Sequence, residues 1–320
     1  MIVSVLLFIV GLVLLIKGGD WFVDGATGIA HRFHIPEILI GATVVSIGTT
    51  LPEVMVSATS AVSGHGEIAY GNAIGSIICN TALISALTFA IAPSKVDRKT
   101  FKIPVIFFFV SAVVYSAVAY TTGYFSRAVG IALLAIFAVY MIMTVMQAKK
   151  MPKAEQETKD NDGGSPVKDI IFLIVGAALI AIGAKLLVDN GTLIAQALGV
   201  PESVIALTFV ALGTSLPELV TAITSLVKGH GALSLGNIVG ANLFNLVLVS
   251  GVSVVLSPFA IPASKTVAGM NGSLAVDIPV MFFVMAFMTI PALIRGKLSR
   301  AQGIILLCVY AAFCAFQFFI

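Results

Sequence analysis

Two carboxylates, Glu53 and Glu218, each close the same six-residue word inside an otherwise apolar stretch: GTTLPE at 48–53 and GTSLPE at 213–218. Hydroxyls flank both acids, Thr49 and Thr50 in the first copy and Thr214 and Ser215 in the second. Thr49 and Glu53 are four residues apart, which sets them on one face of a helix. Pro52 has no amide hydrogen and its ring crowds the carbonyl of Gly48, so a helix there is expected to kink or open. Carbonyl oxygens near Ser46 to Thr49 would then be free to coordinate a cation. Ala211, Thr214, Ser215 and Glu218 repeat the arrangement around Pro217. Downstream, Asn72, Ser76 and Asn80 recur every four residues as a polar stripe, and Asn237, Ala241 and Asn245 mirror them. Gly71 and Gly75, with Gly236 and Gly240, offer small-residue faces that let another backbone approach.

This donor set is made of carboxylate, hydroxyl, amide and carbonyl oxygens, with no Cys or His. Hard oxygens of this kind suit calcium, which accepts six to eight flexible ligands, better than magnesium, which keeps its waters. A softer metal would recruit imidazole or thiolate. Two negative charges balance one divalent ion, and sodium ions or protons can balance them in its place. A carboxylate at mid-membrane costs on the order of 2.5 to 3.5 kcal/mol. A pair of protonated core acids is the plainer reading, but both acids sit beside helix breakers and hydroxyls. His65 and His230 occupy equivalent GHG loops that inversion puts on opposite faces, while His31 and His34 adjoin Arg32 in an inner loop, so all four read as interfacial. Asp20, Asp24 and Asp189, with Lys17 and Lys185, read as residues near helix ends, and Trp21 as an interface anchor. Cys79, Cys308 and Cys314 lie in apolar runs and imply no disulfide framework.

The elements that position these groups follow from the duplication. Residues 41–84 and 206–249 align without gaps at an offset of 165 and are identical at 18 of 44 positions. A mean hydropathy of +1.08, with 59% hydrophobic and 10% charged residues, marks an all-α, polytopic membrane protein. Runs of roughly 20 apolar residues fall near 2–17, 38–62, 68–92, 103–121, 128–147, 169–188, 203–227, 232–257, 275–294 and 301–320. These are ten transmembrane helices, five per repeat. The first run lacks a basic n-region and a cleavage site, so it stays as a helix. An odd number of spans inverts the second repeat, giving residues 1–147 as the first repeat, 148–168 as a flexible cytoplasmic linker, and 169–320 as the second. Lys and Arg collect in the loops that are inner when both termini lie outside the cell membrane. The net charge of +3 needs no nucleic-acid partner.

GTTLPE with GNAIGSIICN, and GTSLPE with GNIVGANLFN, resemble the two alpha repeats of the calcium/cation antiporter superfamily, with the prokaryotic sodium/calcium exchanger branch the nearest in form. The resemblance implies an antiporter, not an enzyme, that needs no cofactor and exchanges calcium for sodium by alternating access as a monomer in the bilayer. It implies that Glu53 and Glu218 with backbone oxygens of Thr49 and Thr214 hold calcium. Ser46, Thr50, Ser76, Ala211 and Ser215 would line sodium sites, and Asn80 and Asn245 would complete the centre. Ala241 stands where symmetry with Ser76 asks for a hydroxyl, which removes one sodium ligand. Asn245 stands where potassium-dependent relatives carry Asp. A proton-coupled calcium antiporter is the alternative within this class. A cation channel would also use carboxylates and carbonyls, but inverted repeats point to alternating access. An intramembrane hydrolase fails because the repeats bring no Ser and His together.

Overall fold

A computed structural model describes residues 2–93, 95–150, 165–198, 213–263 and 266–319. The chain is a helical membrane bundle, with helices α1 (Ile2–Arg32), α2 (Glu37–Val62), α3 (Gly66–Ile91), α4 (Arg98–Thr121) and α5 (Arg127–Lys150) in the first half. The second half holds α6 (Pro166–Ala197), α7 (Leu216–Val227), α8 (Gly231–Leu256), α9 (Ser273–Arg295) and α10 (Arg300–Phe319). Among the described residues nine of these are long and apolar enough to cross a membrane. The exception, α7, is 12 residues long, and the earlier part of its expected span, with Ala211, lies outside the described residues. So does most of the expected linker, although α5 and α6 each run a few residues into it.

Helices α1 and α6 correct one expectation. They run 31 and 32 residues, so Lys17, Asp20, Asp24, Lys185 and Asp189 lie within helices and not near their ends. Apolar run length measures hydrocarbon, whereas a helix continues through charged residues until something stops it. For α1 the stop comes after Arg32, where His34 adopts φ 54° just before Pro36. The aspartates are paired: Asp24 lies 2.7 Å and Asp20 3.5 Å from Lys228, and Asp189 lies 2.9 Å from Lys185.

Glycine sets how α1 and α6 cross. A Cβ on Gly18 would meet the Ile180 amide at 2.8 Å, and one on Gly176 would meet the Phe22 amide at 2.5 Å. Gly11 and Gly183 face each other in the same way. Since Gly11 and Gly18 are the repeat partners of Gly176 and Gly183, the contact is symmetric in sequence as well as in space. The pair shares one apolar cluster with Ile40, Val45 and Leu233, through Phe22, Val23 and Ile180. A larger cluster, including Phe101, Phe108, Tyr115, Phe244 and Met281, holds α3, α4, α5, α8 and α9 together.

The loops pair at both ends of the bundle. Strand β1 (Tyr124–Phe125) pairs antiparallel with β2 (Phe259–Ala260), joining the α4–α5 turn to the α8–α9 loop. At the other end Lys95 bridges Lys297, and the Val96 amide donates to the Gly296 carbonyl at 2.9 Å.

Candidate functional site

The six-residue words lie where α2 and α7 meet. In α2, an opening turn at Glu37–Ile40 leads into a π turn at Gly41–Val45, and an α-helix then runs unbroken from Ser46 to Val62 with Pro52 inside it. The expected opening is therefore a π turn upstream of the proline. The extra residue in that turn pairs the Gly41 carbonyl with the Ser46 amide five residues on, and the Ser46 hydroxyl also donates to it at 2.8 Å. In the second copy the break falls at the word itself. Ser215 caps α7 in a turn conformation (φ −90°, ψ 4°), with Pro217 in its first turn, where a missing amide costs least.

Two more π turns begin at the two central asparagines, Asn80–Ser85 in α3 and Asn245–Val249 in α8. The second is closed like that of α2, with the Ser250 hydroxyl 2.9 Å from the Asn245 carbonyl. π turns interrupt helices most often at functional sites. Each lies against the carboxylate helix of the opposite repeat: α7 packs on the Asn80 turn and α2 on the Asn245 turn.

Glu53, Glu218, Asn80, Asn245, Ser46, Thr49, Thr50, Ser76 and Ser215 are all buried, and Thr214 is half-buried. The two halves interlock through them. Thr50 Oγ1 lies 3.5 Å from Glu218 Oε1, crossing from α2 to α7. Ser46 and Thr49 bring their hydroxyls to 3.3 and 3.2 Å from Asn237 Oδ1 on α8. The mirror contact joins Thr214 Oγ1 to Asn72 Oδ1 on α3 at 3.2 Å. Asn72 and Asn237 were read as part of a polar stripe but not as members of the ion-binding set. Their place in the repeated GN word was the available signal.

The chemistry of the donor set lies in its unmet oxygens. Both carboxylate oxygens of Glu53, Oε2 of Glu218, and Oδ1 of Asn80 and Asn245 are buried with no hydrogen-bond partner among the described residues. The Ser215 hydroxyl and the Asn80 amide nitrogen share that condition. Burying one unpaired charge costs several kcal/mol, and two buried carboxylates close enough to repel each other compound it. A cation is what such oxygens fit. Pro52 adds to them, since it cannot donate to the carbonyl four residues back, at Gly48. A cavity of about 10 Å³ adjoins Gly48, Thr49, Pro52 and Pro217, with Phe22 of α1 and Ala177, Ile180 and Ala181 of α6 as its other wall. It is about the size of one water.

Symmetry does not extend to every pair. Ala241 is buried and brings no side-chain oxygen where α3 carries Ser76. The glycine faces differ too. A Cβ on Gly236 would collide with the Ile38 carbonyl and one on Gly240 with Ser46 and Ala42, so α8 lies tight on α2. Gly71 and Gly75 meet no described atom within 4 Å, and the segment of the second repeat that corresponds to Ile38–Ala42 lies outside the described residues.

Comparison with known proteins identifies the family. The family profile described as "Sodium/calcium exchanger protein" matches residues 3–146 and 168–319. The putative antiporter CaxA of Alkalimonas amylolytica is 34% identical over 323 residues, covering 98% of each chain. The sodium/calcium exchanger MaX1 of Methanosarcina acetivorans is 30% identical over 357 residues, 99% of each. Among solved structures, the sodium-calcium exchanger NCX_Mj soaked with 10 mM Na⁺ and zero Ca²⁺ superposes with a TM-score of 0.81 at 33% identity, over 98% of each chain.

Proposed function

The chain belongs to the sodium/calcium exchanger family, and from that premise we propose that it is a secondary antiporter that exchanges calcium for sodium across the membrane by alternating access. Glu53 and Glu218 are the charged ligands of calcium, with backbone oxygens of Thr49 and Thr214 completing its shell. Ser46, Thr50, Ser76, Ala211 and Ser215 contribute hydroxyl or carbonyl oxygens to sodium, and Asn80 and Asn245 stand at the centre. Because the same two carboxylates neutralise either cargo, calcium and sodium exclude each other, which is what exchange needs. Residues 1–147 and 169–320 act as two inverted halves around one site, joined by 148–168. The monomer is the working unit, in the cell membrane, with both termini outside.

The observation that carries this reading is the pair of buried carboxylates, one from each half, three of whose four oxygens find no hydrogen-bond partner among the described residues. Structural acids would be hydrogen-bonded or salt-bridged. Proteoliposomes loaded with sodium test it. An outward sodium gradient should drive calcium-45 uptake, and Glu53→Gln or Glu218→Gln should abolish it. Equal uptake driven by a pH gradient alone would replace sodium with protons as the coupling ion.

A further inference from the structure

The two halves are stitched crosswise by one asparagine each, at repeat-related positions. Asn237 of the second repeat accepts from Thr49 of the first at 3.2 Å, and Asn72 of the first accepts from Thr214 of the second at 3.2 Å. A threonine inside a helix tends to turn its hydroxyl back on a carbonyl of the preceding turn. Thr49 has that option, since its Oγ1 lies 3.5 Å from the Ser46 carbonyl, yet the asparagine oxygen across the interface is nearer. The asparagine thus offers the hydroxyl a nearer acceptor than the helix's own Ser46 carbonyl. A hydroxyl held by the asparagine leaves the helix's own carbonyls one donor fewer and so more open to a cation.

The stitches differ in one respect. The Asn72 amide nitrogen donates to Ser57 Oγ at 2.8 Å and lies 3.4 Å from the Glu53 carbonyl, so it braces the Glu53 helix and the opposite threonine together. The Asn237 nitrogen is buried without a partner among the described residues, and the repeat position of Ser57 is Ala222.

We propose that Asn72 and Asn237 are positioning residues for cation binding, each holding the site threonine of the opposite repeat so that carbonyl and hydroxyl oxygens remain available to the ion. This rests on the cation-binding reading of the site but not on the direction or coupling of exchange.

The test is a pair of double-mutant cycles read as calcium-45 and sodium-22 dissociation constants of the purified full-length protein. Asn237→Ala and Thr49→Val should each weaken binding about tenfold, the effect of one polar contact at a charged centre. The double variant should be no worse than the poorer single, because both remove one interaction. Asn72→Ala with Thr214→Val should behave alike, whereas Thr49→Val with Asn72→Ala should multiply. Thr49→Ser, which keeps the donor, should bind within about twofold of wild type, a rescue that a packing role would not give. Multiplying effects within the crossed pairs, or single effects under about twofold in variants that remain folded, would overturn the proposal. Wild-type protein that binds neither ion would overturn the site reading with it. Intact cycles without sodium-driven flux would remove only the exchange reading.

Discussion

The hydroxyl of Thr50, on α2, stands 3.5 Å from Oε1 of Glu218, on α7. Thr50 and Ser215 are repeat partners, yet the Ser215 hydroxyl has no hydrogen-bond partner among the described residues. One carboxylate is therefore touched by the other half's hydroxyl while the other is not. In this arrangement Glu218 is the better-held acid and Glu53 the one with both oxygens free for an ion.

Thr50→Val removes the hydroxyl that lies 3.5 Å from Glu218 Oε1 while keeping shape and volume. A hydrogen bond to a charged group contributes about 1.5 to 3 kcal/mol, and the 3.5 Å length points to the lower limit. The half-saturating calcium concentration of exchange should rise about tenfold. Calcium-45 uptake against external calcium measures it, and an unchanged value would mean that Thr50 does not hold Glu218 in the loaded site.

Ala241 supplies the next expectation. Its side chain is fully buried on α8, four residues before Asn245, whose amide donates to the Ala241 carbonyl at 3.0 Å. Ala241→Ser would restore the hydroxyl that Ser76 provides in the first half. An added ligand oxygen contributing about 1 kcal/mol would lower the half-activating sodium concentration about fivefold and steepen its dependence. Sodium titration of calcium efflux reads both. A flat response would mean that position 241 faces packing and not an ion.

At the end of the bundle that carries Arg32, Glu37 gathers two histidines, with His230 Nδ1 at 2.8 Å and His31 Nε2 at 3.4 Å from the same oxygen. These contacts fasten the C-terminal end of α1 and the α7–α8 turn to the start of α2, beside the Arg32–Asp169 pair at 2.9 Å. The partners are partly exposed, so the pairing contributes about 1 kcal/mol or less and is screened by salt. Glu37→Gln should lower the thermal midpoint by about 2 °C in low salt, with the difference shrinking at about 0.5 M salt. A salt-independent loss would point to packing instead.

The repeated acid word and the ten-helix plan were legible because both depend on residue type and order. A carboxylate among apolar residues is conspicuous, and an offset of 165 survives any folding. What escaped depends on contacts across the chain. The π turns at Asn80 and Asn245 have no residue signature of their own, and they lie where the opposite repeat's carboxylate helix packs. Pro52 misled for the same reason. The sequence marks where a helix can open, but the extra residue is taken up seven or more positions earlier, where the Ser46 amide and hydroxyl both reach Gly41. The roles of Asn72 and Asn237 were hidden because their partners lie 142 and 188 residues away. Helix α1 was read short because Asp20 and Asp24, which pair with Lys228, look like a boundary when their partner is not in view.

The crossing of α1 and α6 yields the last prediction. Gly18 leaves no space for a side chain, since a Cβ there would press on the Ile180 amide at 2.8 Å and the Gly176 carbonyl at 2.9 Å, both of them backbone that cannot swing aside. Gly18→Val should force the helices apart and destabilise the protein by about 1 to 3 kcal/mol. Because Phe22 of α1 and Ile180 of α6 also line the small cavity beside Pro52 and Pro217, the displacement reaches the site. Flux should therefore fall further than the amount of folded protein does. Gly71→Ala is the control, as its Cβ meets no described atom within 4 Å. Flux normalised to folded protein, measured by size-exclusion recovery and thermal midpoint, separates the two. A Gly18→Val flux that falls only as far as its folded protein does would mean that the α1–α6 crossing supports the fold without setting the geometry of the site.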